Sequence, residues 1–160
     1  MGPTPANPVP LADLAATRAL GRRLVKRFAT APSILLLQGP LGAGKTSLVQ
    51  GLAEGLGIEE PITSPTFALA QHYGGRGPQG TTTLVHLDLY RLELPAAADE
   101  LFAQEEEEAA ALGALLAVEW PERLSQRPAE AWQLELRLLD PERPGAGRLA
   151  RLSPPAAPQA

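Results

Sequence analysis

The sequence contains no cysteine among its 160 residues. Disulfide bonds, thiolate catalysis and cysteine-ligated zinc are therefore excluded. Apolar runs are short, and none approaches the roughly 18 residues that a membrane-spanning helix needs. The first ten residues also lack a basic region followed by an apolar stretch, the pattern of a secretory signal. We therefore expect a cytoplasmic protein that has no membrane partner.

Basic residues are too few to give the chain a positive charge. The 14 lysines and arginines are outnumbered by 18 acidic residues, so the net charge is −4. Proteins that hold nucleic acid by themselves neutralise phosphates with an excess of basic side chains. Any connection to RNA is thus expected to be indirect, through a partner protein.

Length and proline content indicate how the chain is organised. A chain of 160 residues, of which 44% are hydrophobic, suffices for one packed domain and is too short for a second catalytic one. Four prolines within the first ten residues indicate a loose leader, because proline removes a backbone donor and fixes φ. We expect a disordered leader over residues 1–10, one domain over 11–152 and a flexible tail over 153–160.

Hydrophobic periodicity predicts alternating helices and strands. The proline- and glycine-rich segment 74–80 is expected to join two of the strands as a hairpin. Strand 132–138 alternates apolar and polar residues, which predicts a half-exposed position near an edge of the sheet. The predicted helices cover residues 11–29, 44–57 and 95–112, and the predicted strands cover 34–37, 67–73, 82–89, 114–120, 132–138 and 148–152.

A glycine-rich segment between a predicted strand and a predicted helix fits the phosphate-binding loop pattern. Glycines allow backbone amides to turn inward around a phosphate group, and Lys45 places a compact charge against the terminal phosphates. The Thr46 hydroxyl can ligate Mg²⁺. The segment runs from Gly39 to Thr46, and its expected nucleotide-binding residues are Leu41, Gly42, Ala43, Gly44, Lys45, Thr46 and Ser47.

Two buried-type strands end in a carboxylate, Asp88 in one and Glu119 in the other. A site for Mg²⁺ and a nucleotide needs an acidic residue at such a position, to hold the ion directly or through water. Each could instead be a solvated acid at the end of a strand. Spacing alone does not decide which of the two contacts the metal.

Several further residues have two interpretations. Hydroxyl groups of segment 63–66, including Thr66, could sense the γ-phosphate or belong to an ordinary polar turn. His86 is more simply a satisfied core histidine than a support for the site. Trp120 either belongs to the core or forms a wall for the base. The four acids of 105–108 are expected to form a solvated helix face, with a docking surface for a partner as the alternative.

Four short segments together resemble the TsaE family, the small ATPase of the bacterial machinery that makes N6-threonylcarbamoyladenosine in tRNA. The resemblance covers roughly residues 11–152. The segments are Leu41-Gly-Ala-Gly-Lys-Thr46, Thr63-Ser-Pro-Thr-Phe67, His86-Leu-Asp-Leu-Tyr-Arg-Leu92 and Val118-Glu-Trp-Pro-Glu122. It implies an α/β, P-loop NTPase-like fold, with a mostly parallel central sheet flanked by helices, to which the hairpin would add an antiparallel edge.

The same resemblance implies roles for individual residues. Thr46 and Glu119 are expected to bind Mg²⁺, and Asp88 to lie close to the γ-phosphate of ATP as the base or the residue that positions water. Thr17, on the first helix, would lie near the nucleotide base. The family works alongside two partner proteins that carry the modification chemistry.

Other nucleotide-dependent functions are less compatible with the sequence. A GTPase is expected to carry an Asn-Lys-x-Asp motif, but Asn7 is the only asparagine. A small-molecule kinase usually needs a mobile lid that bears arginines, and Arg123 and Arg127 are sparse for that role. Arg91 is expected beyond the end of its strand, from where it could reach the site only if the chain turns back. A module that holds ATP without hydrolysing it remains an alternative.

Overall fold

A computed structural model describes residues 7–28, 33–63, 69–74 and 82–156. Strands and helices alternate through most of this part of the chain. Two single turns of 3₁₀ helix, Pro121–Arg123 and Pro144–Ala146, follow later strands. The strands are β1 (Val9–Leu11), β2 (Ile34–Gln38), β3 (Ala70–Gly74), β4 (Thr82–Asp88), β5 (Leu115–Glu119), β6 (Trp132–Leu138) and β7 (Arg148–Ser153), and the helices are α1 (Leu14–Phe28), α2 (Lys45–Gly55) and α3 (Pro95–Leu112).

The seven strands of the described residues form one mixed sheet, in the order β1-β7-β6-β2-β5-β4-β3. The four central strands are parallel, since β2 pairs in parallel with both β6 and β5, and β5 with β4. The outer strands β1, β7 and β3 pair antiparallel with their neighbours. The expected α/β fold with a parallel centre is confirmed, with antiparallel pairs at both edges.

Helices cover both faces of the sheet, because alternate residues of each buried strand point to opposite sides. Leu35 and Leu37 of β2 join the core under α1 and α2, whereas Leu36 joins the core under α3. The result is a three-layer arrangement. Glycines at Gly21 and Gly51 let α1 and α2 approach closely, since a Cβ at either position would collide with the backbone of the other helix.

Several boundaries differ from those expected. Val9 and Pro10 pair with β7, so ordered structure begins before the predicted leader ends. Ser153, expected in the tail, is the last residue of β7 and pairs with Gln133. Strand β6 is half-exposed, as expected, with Leu134 and Leu136 buried. It is third from one edge of the sheet, because β7 and β1 pair outside it. The turn region 74–80 lies almost wholly outside the described residues.

The four acids of α3 do not form a uniformly solvated face. Glu107 and Glu108 are exposed, but Glu105 is buried, with 6% of its surface exposed. The Glu105 carboxylate accepts a hydrogen bond from Nε2 of His72 on β3 at 2.8 Å. Across the described residues, no helix combines the length and the apolar character that crossing a membrane requires.

Candidate functional site

The glycine-rich loop connects β2 to α2 and bends at two glycines. Gly42 has φ of +83° and Gly44 has φ of +106°, values that favour glycine because side chains rarely tolerate them. Gly44 is also the N-cap of α2, and it has no side chain with which to satisfy the first amides of the helix. The loop therefore presents backbone donors and the positive end of a helix dipole at one place.

A cavity of about 400 Å³ opens at this loop. It lies where the carboxyl ends of β2, β4 and β5 meet, the edge at which parallel α/β sheets bind their ligands. The loop forms one wall, and residues that follow β4 and β5 form the other. Its lining residues are Leu14, Leu41, Gly42, Gly44, Lys45, Thr46, Ser47, Leu69, Asp88, Tyr90, Arg91, Glu119 and Trp120.

Strand register brings the two candidate acids together. Asp88 and Glu119 are direct partners at the ends of β4 and β5. His86 precedes Asp88 by two residues, so it points to the same face of the sheet. Leu84 and Ala117 point to the same face, since each precedes one of the acids by an even number of residues. Both belong to the core beneath α1 and α2. All three polar side chains therefore face the side of the sheet on which the loop enters α2.

The histidine holds the carboxylate of Glu119. Nε2 of His86 lies 2.6 Å from Oε2 of Glu119, and both side chains are almost completely buried. Because a carboxylate can only accept, Nε2 donates this hydrogen bond. The geometry therefore favours a supporting role for His86, which was the less favoured interpretation from the sequence. The spacing of His86 and Asp88 on one strand was the signal that could have indicated it.

Lys45 is buried at the centre of the cavity wall, with 5% of its surface exposed. Its ammonium group donates a hydrogen bond to the carbonyl oxygen of Gly39 at 2.7 Å and lies 3.8 Å from the centre of the Trp120 ring. Burial lowers the pKa of Lys45, and the nearby charges of Glu119, Glu122 and Asp88 oppose that shift. The lysine is thus a desolvated cation facing a cluster of acids.

Asp88 is only half-buried, and it accepts a hydrogen bond from the backbone amide of Tyr90 at 2.9 Å. Burial raises its pKa, and the charge of Glu119 adds to that increase. The Tyr90 amide and the charges of His86 and Lys45 act in the opposite direction. The Asp88 carboxyl therefore holds a proton more readily than an ordinary aspartate does.

Three aromatic or basic residues line the cavity beside the acids, and Tyr90 is the one of them that the sequence did not indicate. Leu92 donates a backbone hydrogen bond to Leu89, and this turn brings Tyr90 and Arg91 to the cavity. Arg91 lies beyond the end of β4, as expected, and reaches the cavity because the chain turns back there. Trp120, at φ of +61°, reverses the chain after β5 and contacts both Lys45 and the Tyr90 ring. It forms part of the cavity wall and also packs against the core beneath α3.

Not every predicted site residue lines the cavity. Ala43, within the loop, is fully buried. Thr17 is also buried, where its hydroxyl donates to the Asp13 carbonyl oxygen and its methyl group packs beside Gly44. Thr66 lies outside the described residues. The expected positions of Thr17 near the base and of Thr66 near the γ-phosphate stay predictions.

Comparisons with known proteins identify a family for the chain. Residues 11–144 match the family model described as threonylcarbamoyl adenosine biosynthesis protein TsaE. The chain is 48% identical over 123 residues to the tRNA threonylcarbamoyladenosine biosynthesis protein TsaE of Synechocystis, covering 75% of this chain and 73% of that protein. It is 41% identical over 128 residues to the Mycobacterium tuberculosis protein of the same name, covering 76% and 72%.

A solved structure is also similar. The crystal structure of Bacillus subtilis YdiB superimposes with a TM-score of 0.64 at 26% sequence identity, over 95% of this chain and 88% of that one. The family model covers most of the chain, including the loop and both acids that end β4 and β5. The chain therefore belongs to the TsaE family.

Proposed function

We propose that this protein binds ATP together with Mg²⁺ in the cavity and hydrolyses it slowly, in support of threonylcarbamoyl modification of adenosine in tRNA. One observation carries the proposal. Lys45, Thr46, Asp88 and Glu119 come from three separate elements and line a single cavity beside the helix N-terminus. A loop of this geometry is suited to the phosphates of a nucleotide.

Lys45 and the loop amides are proposed to bind the phosphates. The ammonium group of Lys45 is already directed across the loop by Gly39 and held against Trp120. A small rearrangement would exchange these two contacts for phosphate oxygens. Because the lysine is desolvated, its charge acts on an anion through a lower effective dielectric constant than at the surface.

Thr46 and Glu119 are suited to hold the metal. Both line the cavity, and a hydroxyl and a carboxylate offer the oxygen donors that Mg²⁺ prefers. When bound, Mg²⁺ neutralises charge on the phosphates and orients them. The hydrogen bond from His86 fixes the Glu119 carboxylate, as residues behind a metal ligand commonly do.

Asp88 is proposed to activate or orient the attacking water. It lies level with Glu119 but on the next strand along, and it is more exposed. A raised pKa makes a carboxylate a better proton acceptor. Glu119 would then serve binding, whereas Asp88 would serve the chemical step.

The wider role rests on the family. Its named relatives act in tRNA threonylcarbamoyladenosine biosynthesis. We propose that ATP hydrolysis resets a complex of two partner proteins in the cytoplasm that carry out the modification. The net charge of −4 suits a protein that contacts tRNA only indirectly.

Nucleotide binding is tested first with Lys45→Ala, using Lys26→Ala as the matched control. Lys26 is the only other lysine and is exposed on α1. ATP titrated calorimetrically in the presence of Mg²⁺ should bind the wild type and Lys26→Ala alike and should not bind Lys45→Ala measurably. Unchanged affinity in Lys45→Ala would contradict the proposed site.

Hydrolysis is tested by steady-state assays of the protein alone, with its partners, and with partners and tRNA. We expect a slow basal rate that the partners raise. Arg91 at the cavity offers an arginine that could meet developing charge, so Arg91→Ala is assayed in parallel. A fast rate that is indifferent to every addition would indicate a self-contained ATPase or a kinase, and no turnover under any condition would indicate a binding module.

A further inference from the structure

Arg148, the first residue of β7, is buried behind the glycine-rich loop with 4% of its surface exposed. Its guanidinium donates through Nη1 to the carbonyl oxygen of Ala43 at 2.9 Å, and more weakly to that of Gly42 at 3.5 Å. Nη2 donates to the carbonyl oxygen of Pro144 at 3.2 Å. One buried side chain thus ties the loop to the C-terminal part of the sheet.

The contact at Ala43 determines which way a loop amide points. In a trans peptide the carbonyl oxygen of one residue and the N–H of the next lie on opposite sides of the bond. Holding the Ala43 oxygen toward Arg148 therefore directs the Gly44 N–H away from it. Gly44 lines the cavity, whereas Ala43 is completely buried. Arg148 therefore holds one side of the Ala43–Gly44 peptide group, and the other side of that peptide group faces the cavity.

Gly44 is adapted to the same contact. A Cβ at this position would lie 3.0 Å from Nη1 of Arg148, closer than ordinary packing allows. The residue therefore combines a positive φ with close approach of the guanidinium. Loop conformation and arginine position are set together.

The guanidinium of Arg148 carries a positive charge in a buried environment, without a charged partner among the described residues. Within the described ranges, no acidic side chain forms an ion pair with it, and its Nε has no hydrogen-bond partner. A buried cation is normally paired, because desolvation is costly. The Arg148 guanidinium instead contacts carbonyl dipoles, so its positive charge stays uncompensated behind the loop. An anion in the cavity would partly compensate this charge.

We infer that Arg148 is a positioning residue for phosphate binding: it holds the Ala43–Gly44 peptide so that the Gly44 amide meets a phosphate of the nucleotide. The inference rests on the proposed ATP site and deepens it. Arg148 lies beyond residues 11–144, the part of the chain that the family model matches. Its side-chain hydrogen bonds all go to backbone carbonyl oxygens, those of the loop and of Pro144, so it acts through the loop and not as a catalytic residue.

The test compares Arg148→Met with Arg151→Met in calorimetric titrations with ATP and with ADP, both in the presence of Mg²⁺. Arg151 lies on the same strand but is exposed, so it controls for loss of an arginine from β7. Losing hydrogen bonds from a charged donor costs enough to weaken binding about 10- to 100-fold. We expect this loss for Arg148→Met, by the same factor for ATP and ADP, with the stoichiometry unchanged.

Stoichiometry separates positioning from a merely structural role. A variant of which a fraction is irreversibly misfolded binds fewer nucleotides per chain at the wild-type dissociation constant, and that result would overturn the inference. So would wild-type affinity in Arg148→Met, or a loss confined to ATP, which would indicate a γ-phosphate effect instead. If the wild type itself binds no ATP, the proposed function fails first, independently of Arg148.

Arg148→Lys provides the second variant. It keeps the charge and one donor group but cannot span Ala43 and Pro144 as the planar guanidinium does. We expect an affinity between those of the wild type and Arg148→Met. Should Arg148→Met fail to fold, reduced affinity of Arg148→Lys at full stoichiometry supports the inference, and wild-type affinity overturns it.

Discussion

Two histidine–glutamate pairs of similar geometry occur in different parts of the sheet. His86 and Glu119 connect β4 to β5 at an Nε2–Oε2 distance of 2.6 Å, and His72 and Glu105 connect β3 to α3 at 2.8 Å. In the first pair 0% and 4% of the side chains is exposed, whereas in the second 29% and 8% is exposed. The first pair therefore lies in a far drier environment than the second.

Location, rather than the pair itself, determines what each can do. The His86 pair lies at the carboxyl edge of the parallel strands, and Glu119 reaches the cavity. In the other pair, His72 lies on β3, an edge strand of the sheet, and Glu105 lies on α3. Water replaces a lost partner more easily at the edge than in the centre, where both side chains are almost completely buried. The same two residue types thus support a site in one place and join an edge strand to a helix in the other.

The strongest test of this contrast removes one charge from each pair. Glu119→Gln keeps the shape and an acceptor for His86 but loses the carboxylate. Mg²⁺-dependent ATP affinity should fall about 100-fold or more, since losing a metal ligand exceeds the effect of losing the residue behind one. Glu105→Gln should bind ATP as the wild type does. Calorimetric titrations with and without Mg²⁺ measure both, and an equal loss in the two variants would contradict the distinction.

The second test removes the central histidine. His86→Ala leaves the Glu119 carboxylate buried without its donor, which costs about 3–5 kcal/mol of unfolding free energy. Urea unfolding of the free protein measures the loss. A cost below about 1 kcal/mol would mean that water reaches Glu119 and that the central pair is no drier than the peripheral one.

Part of the site could be predicted from the sequence, because local sequence patterns determine it. The loop pattern from Gly39 to Thr46 sits between β2 and α2 as expected, and the apolar runs that end in Asp88 and Glu119 form strands. Helix α3 begins and ends at the predicted residues, 95 and 112. The spacing of residues in α3 also indicates that Glu105 is buried. Ala98, Phe102, Glu105 and Ala109 share the buried face of α3 at helical intervals, so Glu105 lies on that face.

Other parts depended on contacts between distant segments. His86 meets Glu119 only because β4 and β5 are neighbours in register, although 33 residues separate the two side chains. Arg91 reaches the cavity through a turn whose direction no periodicity encodes. Arg148 contacts a loop more than 100 residues away. These contacts depend on strand order and register, which cannot be predicted from the local patterns of a single sequence.

Asp88 gives the third test, because it shares a face with the central pair and its charge responds to both members. Its folded pKa is raised above the ordinary value of 3.8. The unfolded chain therefore loses its proton first, and stability falls as pH rises from the ordinary pKa through the raised one. Asp88→Asn removes this cost, so the variant should be more stable than the wild type at neutral pH and equally stable in acid.

The same variant should bind ATP normally and hydrolyse it more slowly, as expected for a contact made mainly in the transition state. Thermal unfolding across a pH series and single-turnover hydrolysis measure the two effects. For the wild type, hydrolysis should decline on acidification at a higher pH than an ordinary aspartate would give, because the basic form of Asp88 is lost there. A loss of ATP affinity equal to that of Glu119→Gln would mean that the two acids share one role.

The smallest effect is expected at the edge of the sheet. His72→Ala removes the partner of Glu105, but the side chain that leaves is itself partly exposed, so its removal opens the Glu105 carboxylate to water. The cost should stay below about 1 kcal/mol, the range of ion pairs at the surface, and should shrink further at high salt. Urea unfolding at low and high ionic strength, beside His86→Ala, measures the difference. A cost for His72→Ala as large as that for His86→Ala would show that β3 is held as firmly as the centre of the sheet, and the contrast between the two pairs would then lie only in their distance from the cavity.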